Sequence, residues 1–203
     1  MLKHIQRFRR SRYGQPFRTV FYQVGTIIRK IIDLLFPAMT VKKYIGTYGP
    51  FRMNKKYLFS DFEGWNRGHN VQFHTLVEEC RGKNCVLDVG AHIGLTTLPI
   101  AHVINEKGVV ISFEPGLKNL NTLKHHILIN NLTNVTVVDN AVGDRDDILV
   151  EFMDLSVESG INKILGYGPK GNNLISQKKK PRDYQHIVRK VPLITLDTYC
   201  RSN

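Results

Sequence analysis

The sequence predicts an α/β fold in which buried strands alternate with helices. An apolar strand is expected at Cys85 to Val89 and a second at Val109 to Phe113, with an apolar helix at Leu95 to Ile104 between them. A further helix at Asn119 to Asn130 precedes a third expected strand at Val135 to Val138. Strands that alternate with helices in this way are typical of a parallel sheet in one ordinary globular domain.

The turn after the first strand has the composition of a cofactor-binding turn. Gly90, Ala91 and Gly94 carry no bulky side chains, so the backbone can approach a ligand closely. The helix that follows offers unpaired backbone N–H groups. His92 lies inside the turn, where its side chain can face either the ligand or solvent, and as a general base it has little support.

Two carboxylates at the strand ends indicate the charge of the ligand. Glu114, before Pro115, can accept two hydrogen bonds from a ribose cis-diol. The turn lacks the middle glycine of G-x-G-x-x-G, which argues against NAD or FAD. Asp88 suits a ligand with an ammonium and a sulfonium better than one with phosphates, and S-adenosylmethionine fits that charge. The alternative is an ordinary α/β crossover whose glycines serve only tight packing.

Three segments of the chain resemble the FkbM family of S-adenosylmethionine-dependent O-methyltransferases: VLDVGAHIGLTTLPIA, VVISFEPGLKNLNTLKHHILINN and NVTVVDNAVGD. The resemblance runs from about Tyr48 to the end of the chain and implies a class I methyltransferase fold, which is Rossmann-like with a doubly wound sheet. It also implies methyl transfer to a hydroxyl of a saccharide, glycan or secondary metabolite. In this resemblance Asp88, Gly90, Ala91 and Gly94 form the loop at the methionine end, Glu114 is the ribose carboxylate and Asn140-Ala141 lie beside the adenine.

The end of the chain departs from the family pattern. Family members continue, after the stretch that matches Val191 to Asp197, into a strand with an I-D-x-E-G type motif, whereas this sequence stops at Asn203. We therefore expect a sheet that is incomplete at the C-terminus, with residues 1–46 as an N-terminal helical extension and 47–203 as the N-terminal part of the methyltransferase domain. The sequence assigns no general base. A non-catalytic fragment that binds a membrane or a partner, and a nicotinamide-dependent oxidoreductase, are the alternatives.

The basic charge of the chain is concentrated at its N-terminus. Residues 1–56 contain thirteen Lys and Arg against the single acid Asp33, a net charge of +12, which equals that of the whole chain. Residues 17–39 alternate apolar and charged groups with nearly helical periodicity, and are too charged for a membrane span. Residues 1–39 could thus bind an anionic membrane surface, or the helix could pack on the sheet. Nucleic acid is a weaker candidate partner, because no RNA-binding motif accompanies the arginines.

The cysteines and histidines predict neither a disulfide framework nor a metal site. Cys80, Cys85 and Cys200 form no C-x-x-C pair, which favours a reducing, cytoplasmic compartment. Cys85 is expected to be a small buried residue of the first strand. His69 and His74 lack a third ligand nearby in the sequence.

The remaining segments give weaker expectations. Asp146-Asp147 is expected to turn the chain into an antiparallel strand at Ile148 to Phe152, so that this segment forms a hairpin. Ser156 to Arg189 is expected to form a flexible loop over the active face, where an acceptor would bind. The aromatic residues Phe59, Phe62 and Trp65 are expected to pack in the core, with a sugar-stacking platform at Trp65 as the alternative.

Overall fold

A computed structural model describes residues 18–36, 38–66, 70–155, 162–165 and 186–203. The chain divides into two compact units. The first unit contains the residues up to Lys42 together with Met53–Asp61, and the second contains Lys43–Arg52 and Phe62–Asn203.

The first unit contains helix α1, Arg18–Leu35, and a 3-10 turn at Lys55–Tyr57. The predicted amphipathic helix is therefore confirmed with shorter bounds. It ends two residues before Pro37, as expected from the clash between a proline ring and a helical preceding residue. Among the described residues no helix is both long and apolar enough to cross a membrane.

Two short strands follow α1 in the sequence. Thr40–Ile45 (β1) and Tyr48–Asn54 (β2) pair as a two-stranded sheet, and Gly46 in the turn between them has a positive φ of 58°. Glycine adopts this conformation without a steric penalty.

A three-stranded parallel sheet forms the core of the second unit. Cys85–Val89 (β3), Val109–Phe113 (β4) and Val135–Val138 (β5) pair in the order β3-β4-β5. The connecting helices are Thr97–Val103 (α3) and Leu117–Ile129 (α4), and Phe73–Glu79 (α2) precedes β3. The predicted α/β fold with a Rossmann-like parallel sheet is thus confirmed, and the three strands have the predicted bounds.

The first and last residues of β3 are exposed, which corrects the expectation that Cys85 is buried. Cys85 is exposed rather than buried, and Val89 is 52% exposed. The physical reason is that β3 pairs only with β4 among the described residues, so one edge of β3 has no strand beside it. In the central strand β4, by contrast, Val110, Ser112 and Phe113 are fully inaccessible.

A second sheet follows β5. Its strands among the described residues are Ala141–Val142 (β6), Ile148–Leu155 (β7), Lys163–Ile164 (β8) and His186–Ile194 (β9). They lie in the order β6-β9-β7-β8, and a short helix, Leu196–Ser202 (α5), follows β9. Strands β7 and β9 pair antiparallel along their length. Buried apolar side chains from three of these strands form the core of this sheet: Ala141, Val150, Phe152, Val191 and Leu193.

This second sheet corrects two predictions. Ile148 to Phe152 is an antiparallel strand, but its partners are β9 and β8. The predicted hairpin through Asp146-Asp147 is wrong, because the strand before that turn, β6, pairs parallel with β9 instead of with β7. The flexible loop predicted for Ser156 to Arg189 is wrong at β8 and at the start of β9, which are strands because their backbones pair with β7. Most other residues of that predicted loop lie outside the described residues.

Candidate cofactor site

The cofactor turn, Gly90 to Gly94, folds back onto the end of β4. The backbone N–H groups of Gly90 and Ala91 both donate to the Phe113 carbonyl, at 2.9 and 3.0 Å, and Gly94 donates to the Ala91 carbonyl at 2.8 Å. Three residues of the turn have positive φ angles: Gly90 at 80°, His92 at 53° and Gly94 at 93°. Left-handed backbone is favourable for glycine and uncommon for other residues, so His92 is held there by its surroundings.

The two glycines of the turn have different roles. A Cβ atom placed on Gly90 would meet nothing within 4 Å, whereas one on Gly94 would lie 2.9 Å from Cδ1 of Leu123. Leu123 is fully buried, so its side chain cannot move aside freely. Gly94 therefore permits close packing of the turn on α4, while Gly90 leaves open space beside the turn.

The carboxylate of Glu114 connects the turn to the start of α4. Its Oε2 accepts the His92 backbone N–H at 2.8 Å, and its Oε1 accepts the Gly116 N–H at 2.8 Å and Asn119 Nδ2 at 3.2 Å. Glu114 is 5% exposed, and burial raises its pKa, although these three donors act in the opposite direction. Because a carboxylate accepts about four hydrogen bonds, this arrangement leaves room for about one more donor, whereas a cis-diol brings two.

The carboxylate of Asp88 is occupied by two threonines at the start of α3. Thr96 Oγ1 donates to both oxygens, at 2.9 and 3.1 Å, and Thr97 Oγ1 donates to Oδ2 at 2.6 Å. Thr97 Oγ1 also lies 3.2 Å from the buried Ser112 hydroxyl. Burial raises the pKa of Asp88, while the threonine hydrogen bonds act to lower it. Sequence reasoning missed the threonines, although a Thr-Thr pair at a predicted helix start is a signal for such contacts.

The structure places the remaining predicted cofactor residues around the end of β4 and in the second sheet. Pro115 is half-buried directly after Glu114, whose backbone N–H donates to the Val138 carbonyl at 3.0 Å. Asn140 lies two residues after Val138, the last residue of β5, and lines a cavity of about 260 Å³. Ala141 is 2% exposed and pairs with Leu193 in the second sheet. The hydrogen bonds thus unite the turn, Glu114 and β5, while Ala141 belongs to the core of the second sheet.

A further acid, Asp154 on β7, supports the start of α4. Its Oδ2 accepts the Leu117 backbone N–H at 2.7 Å and Arg189 Nε at 3.3 Å, and its Oδ1 accepts Asn162 Nδ2 at 3.0 Å. Asp154 is 4% exposed. No sequence signal identified this contact, because the two residues that it joins, Asp154 and Leu117, are 37 positions apart.

The histidines His74 and His126 contact other groups of the protein. No group of three or more His, Cys, Asp and Glu suited to a metal ion occurs among the described residues, and His69 lies outside them. His74 Nδ1 lies 2.9 Å from the Tyr48 hydroxyl, and the buried His126 ring Nδ1 lies 2.8 Å from the Ile93 carbonyl.

Trp65 is half-buried in the second unit. Its ring packs edge to face against Phe73, with the ring centroids 5.0 Å apart. A cavity of about 940 Å³ is bordered by both rings and reaches Thr96. Phe59 belongs to the first unit. The tryptophan therefore has both an edge packed against Phe73 and an open side that borders the cavity.

Comparisons with known proteins give partial structural matches. No family model and no curated protein matches the chain. A putative rRNA methylase from Clostridium thermocellum matches with a TM-score of 0.33 and 22% identity over 36% of this chain and 40% of that one. A SAM dependent methyltransferase from Aquifex aeolicus matches with a TM-score of 0.31 and 23% identity over 37% of this chain and 40% of its own.

A third matching structure is coclaurine N-methyltransferase bound to N-methylheliamine and SAH, with a TM-score of 0.34 and 18% identity over 40% of this chain and 24% of that one. This chain therefore spans less than half the length of each of the three proteins. At these TM-scores the matches add no argument about chemistry. The Rossmann-like α/β class rests on the strand order and crossovers of the chain itself.

Proposed function

We propose that this chain binds S-adenosylmethionine at the cofactor turn and transfers its methyl group to an acceptor hydroxyl. The observation that carries the proposal is the carboxylate of Glu114, which is fixed to the turn by the His92 N–H at 2.8 Å. A carboxylate after the second strand of a parallel sheet is placed to accept a hydrogen bond from a ribose hydroxyl.

The residues around the turn fit this ligand in two ways. Gly90 has room beside it for a ligand, and Glu114 keeps capacity for about one more donor. The place of the middle glycine that would admit a pyrophosphate is taken by a residue with a side chain, which disfavours a dinucleotide. The carboxylate of Asp88 is held at the start of α3 by hydrogen bonds from Thr96 and Thr97.

When bound, S-adenosylmethionine supplies an electrophilic methyl group, whose carbon an acceptor hydroxyl oxygen attacks in line with the breaking bond to sulfur. The contribution of the chain is to hold the reactants in line, since the leaving thioether is neutral and needs no proton. The acceptor oxygen must lose its proton to a base, which we do not assign. A hydroxyl of a saccharide, glycan or secondary metabolite as acceptor is supported by the FkbM resemblance alone.

The test is calorimetric titration of the chain with S-adenosylmethionine, S-adenosylhomocysteine and NAD. We expect the first two to bind and NAD not to bind. Glu114→Ala should weaken S-adenosylmethionine binding by about 1.5–3 kcal/mol, because a hydrogen bond to a charged acceptor is lost. The matched control is Glu106→Ala, since Glu106 is an exposed acid in the connection before β4.

Three outcomes would contradict the proposal. Equal affinity of the folded Glu114→Ala variant and the parent would remove Glu114 from the site, and binding of NAD alone would favour the oxidoreductase alternative. Binding of S-adenosylmethionine without methyl transfer to any hydroxyl acceptor would favour the non-catalytic fragment.

The proposal places the protein in the cytoplasm. The three cysteines Cys80, Cys85 and Cys200 are free thiols, and two of them are exposed, which suits a reducing compartment.

A further inference from the structure

Helix α1 has a continuous stripe of exposed aliphatic side chains, which we call the α1 stripe. It consists of Val20, Val24, Ile27, Ile31 and Leu34, which are 54, 47, 58, 50 and 80% exposed. Their spacing along the chain alternates between four and three residues, which places all five on one face of a helix. Five exposed aliphatic residues on one face are unusual for a surface in water, because each leaves apolar area hydrated.

The chain around this stripe is strongly basic. Arg18, Arg29 and Lys30 belong to α1, and Asp33 is the only acid among residues 1–56, which carry a net charge of +12. The segment therefore combines an apolar face with a large excess of positive charge. Its helix has 18 residues, so it is about 27 Å long at 1.5 Å per residue.

Two kinds of partner could cover the stripe. The alternating spacing of four and three residues also suits a coiled coil with a second copy of the chain. Two such segments would bring their positive charges together, with only one Asp33 in each copy to compensate, so electrostatic repulsion opposes this dimer. An anionic lipid surface compensates the charge and accepts aliphatic side chains at its headgroup boundary.

We infer that the α1 stripe binds the surface of membranes that contain anionic phospholipid, with the helix axis in the plane of the interface. The aliphatic side chains enter the boundary between headgroups and acyl chains, and the basic residues contact the lipid phosphates. The inference does not depend on the proposed methyl transfer, because it rests only on α1 and the charge around it.

The experiment is co-sedimentation of the full chain with vesicles of phosphatidylcholine, with and without phosphatidylglycerol. We expect binding only to the anionic vesicles, and weaker binding as salt is raised. The double variant Ile27→Gln with Ile31→Gln keeps the charge and the helix propensity, and should bind at least about tenfold more weakly because two aliphatic anchors are lost. The variant Arg29→Gln with Lys30→Gln should bind more weakly and with a smaller salt dependence.

The matched control removes two aliphatic side chains that are at least as exposed, through Leu128→Gln with Leu149→Gln. Leu128 and Leu149 are 71% and 63% exposed on α4 and β7, and their loss should leave vesicle binding unchanged. Circular dichroism establishes that each variant retains its helix content.

Three results would overturn the inference. The first is failure of the parent chain to bind phosphatidylglycerol vesicles, and the second is equal binding by the Ile27 and Ile31 double variant. The third is a dimer in sedimentation equilibrium without lipid that this double variant abolishes, because the stripe would then bind a second copy. No cofactor is present in these assays, so a failure here and a failure of S-adenosylmethionine binding are separate outcomes.

Discussion

Replacing Thr97 by Val tests how the buried carboxylate of Asp88 is stabilised. The substitution keeps the side-chain volume and removes the hydroxyl that donates to Asp88 at 2.6 Å and contacts Ser112 at 3.2 Å. Loss of a hydrogen bond to a charged acceptor costs about 1.5–3 kcal/mol, and the unpaired Ser112 hydroxyl adds about 1 kcal/mol. We therefore expect the free energy of unfolding to fall by about 2.5–4 kcal/mol near neutral pH, as measured by urea denaturation.

The effect of Thr97→Val should depend on pH. The Thr97 hydroxyl lowers the pKa of Asp88 against the larger effect of burial, so its removal raises that pKa further. An acid with a raised folded pKa is destabilising where it is ionised, and protonation relieves that cost as pH falls through the raised value. The difference in unfolding free energy between parent and variant should therefore shrink in acid.

Thr97→Ser is the matched control, because it keeps the hydroxyl and removes one buried methyl group. It should cost about 1 kcal/mol, with no added dependence on pH. A loss below about 1 kcal/mol for Thr97→Val, or a loss that stays constant from neutral pH into acid, would refute this account of Asp88.

Further predictions concern the turn glycines and the start of α5. Gly94→Ala should destabilise the fold more than Gly90→Ala in urea denaturation. Alanine at either position would have to adopt left-handed backbone, which costs about 1–2 kcal/mol. Only the alanine Cβ at position 94 would also lie 2.9 Å from Cδ1 of Leu123. Gly90→Ala should instead weaken S-adenosylmethionine binding in calorimetry, and unchanged affinity would show that the ligand does not use this space. Asp146 accepts the Thr195 N–H at 2.6 Å, and this bond lowers its pKa. The stabilisation that Asp146→Asn removes should therefore be present above the pKa of Asp146 in the unfolded chain, and should be lost as pH falls through its pKa in the folded chain. A difference in unfolding free energy between parent and variant that persists in strong acid would contradict this expectation.

The strands of the parallel sheet could be predicted from the sequence because their signal is local. Strands β3, β4 and β5 begin and end where the apolar runs do. Helix ends were less predictable, since they depend on distant groups. Helix α4 begins at Leu117, two residues before the predicted start, and the Leu117 N–H is bound by Asp154 in the second sheet.

Three features could not be predicted because they depend on long-range contacts. The exposure of Cys85 depends on which edge of β3 has a neighbour. Strand β9 lies at the end of a segment rich in glycine and lysine, and its buried Val191 and Leu193 are recognisable only when paired with β7. The orientation of Glu114 depends on the left-handed backbone of His92, which no residue pattern indicates.

The contact between Asp154 and α4 has a consequence for how the site tolerates change. The Leu117 N–H that Asp154 binds follows Gly116, whose own N–H binds Glu114 at 2.8 Å, so two adjacent peptide groups join the paired strands β7 and β9 to the proposed ribose carboxylate. We expect substitutions in these two strands to shift that carboxylate through the start of α4. Selection could therefore adjust the affinity of the proposed site through residues outside the turn, and β7 and β9 are a place to look for variants that tighten or loosen it.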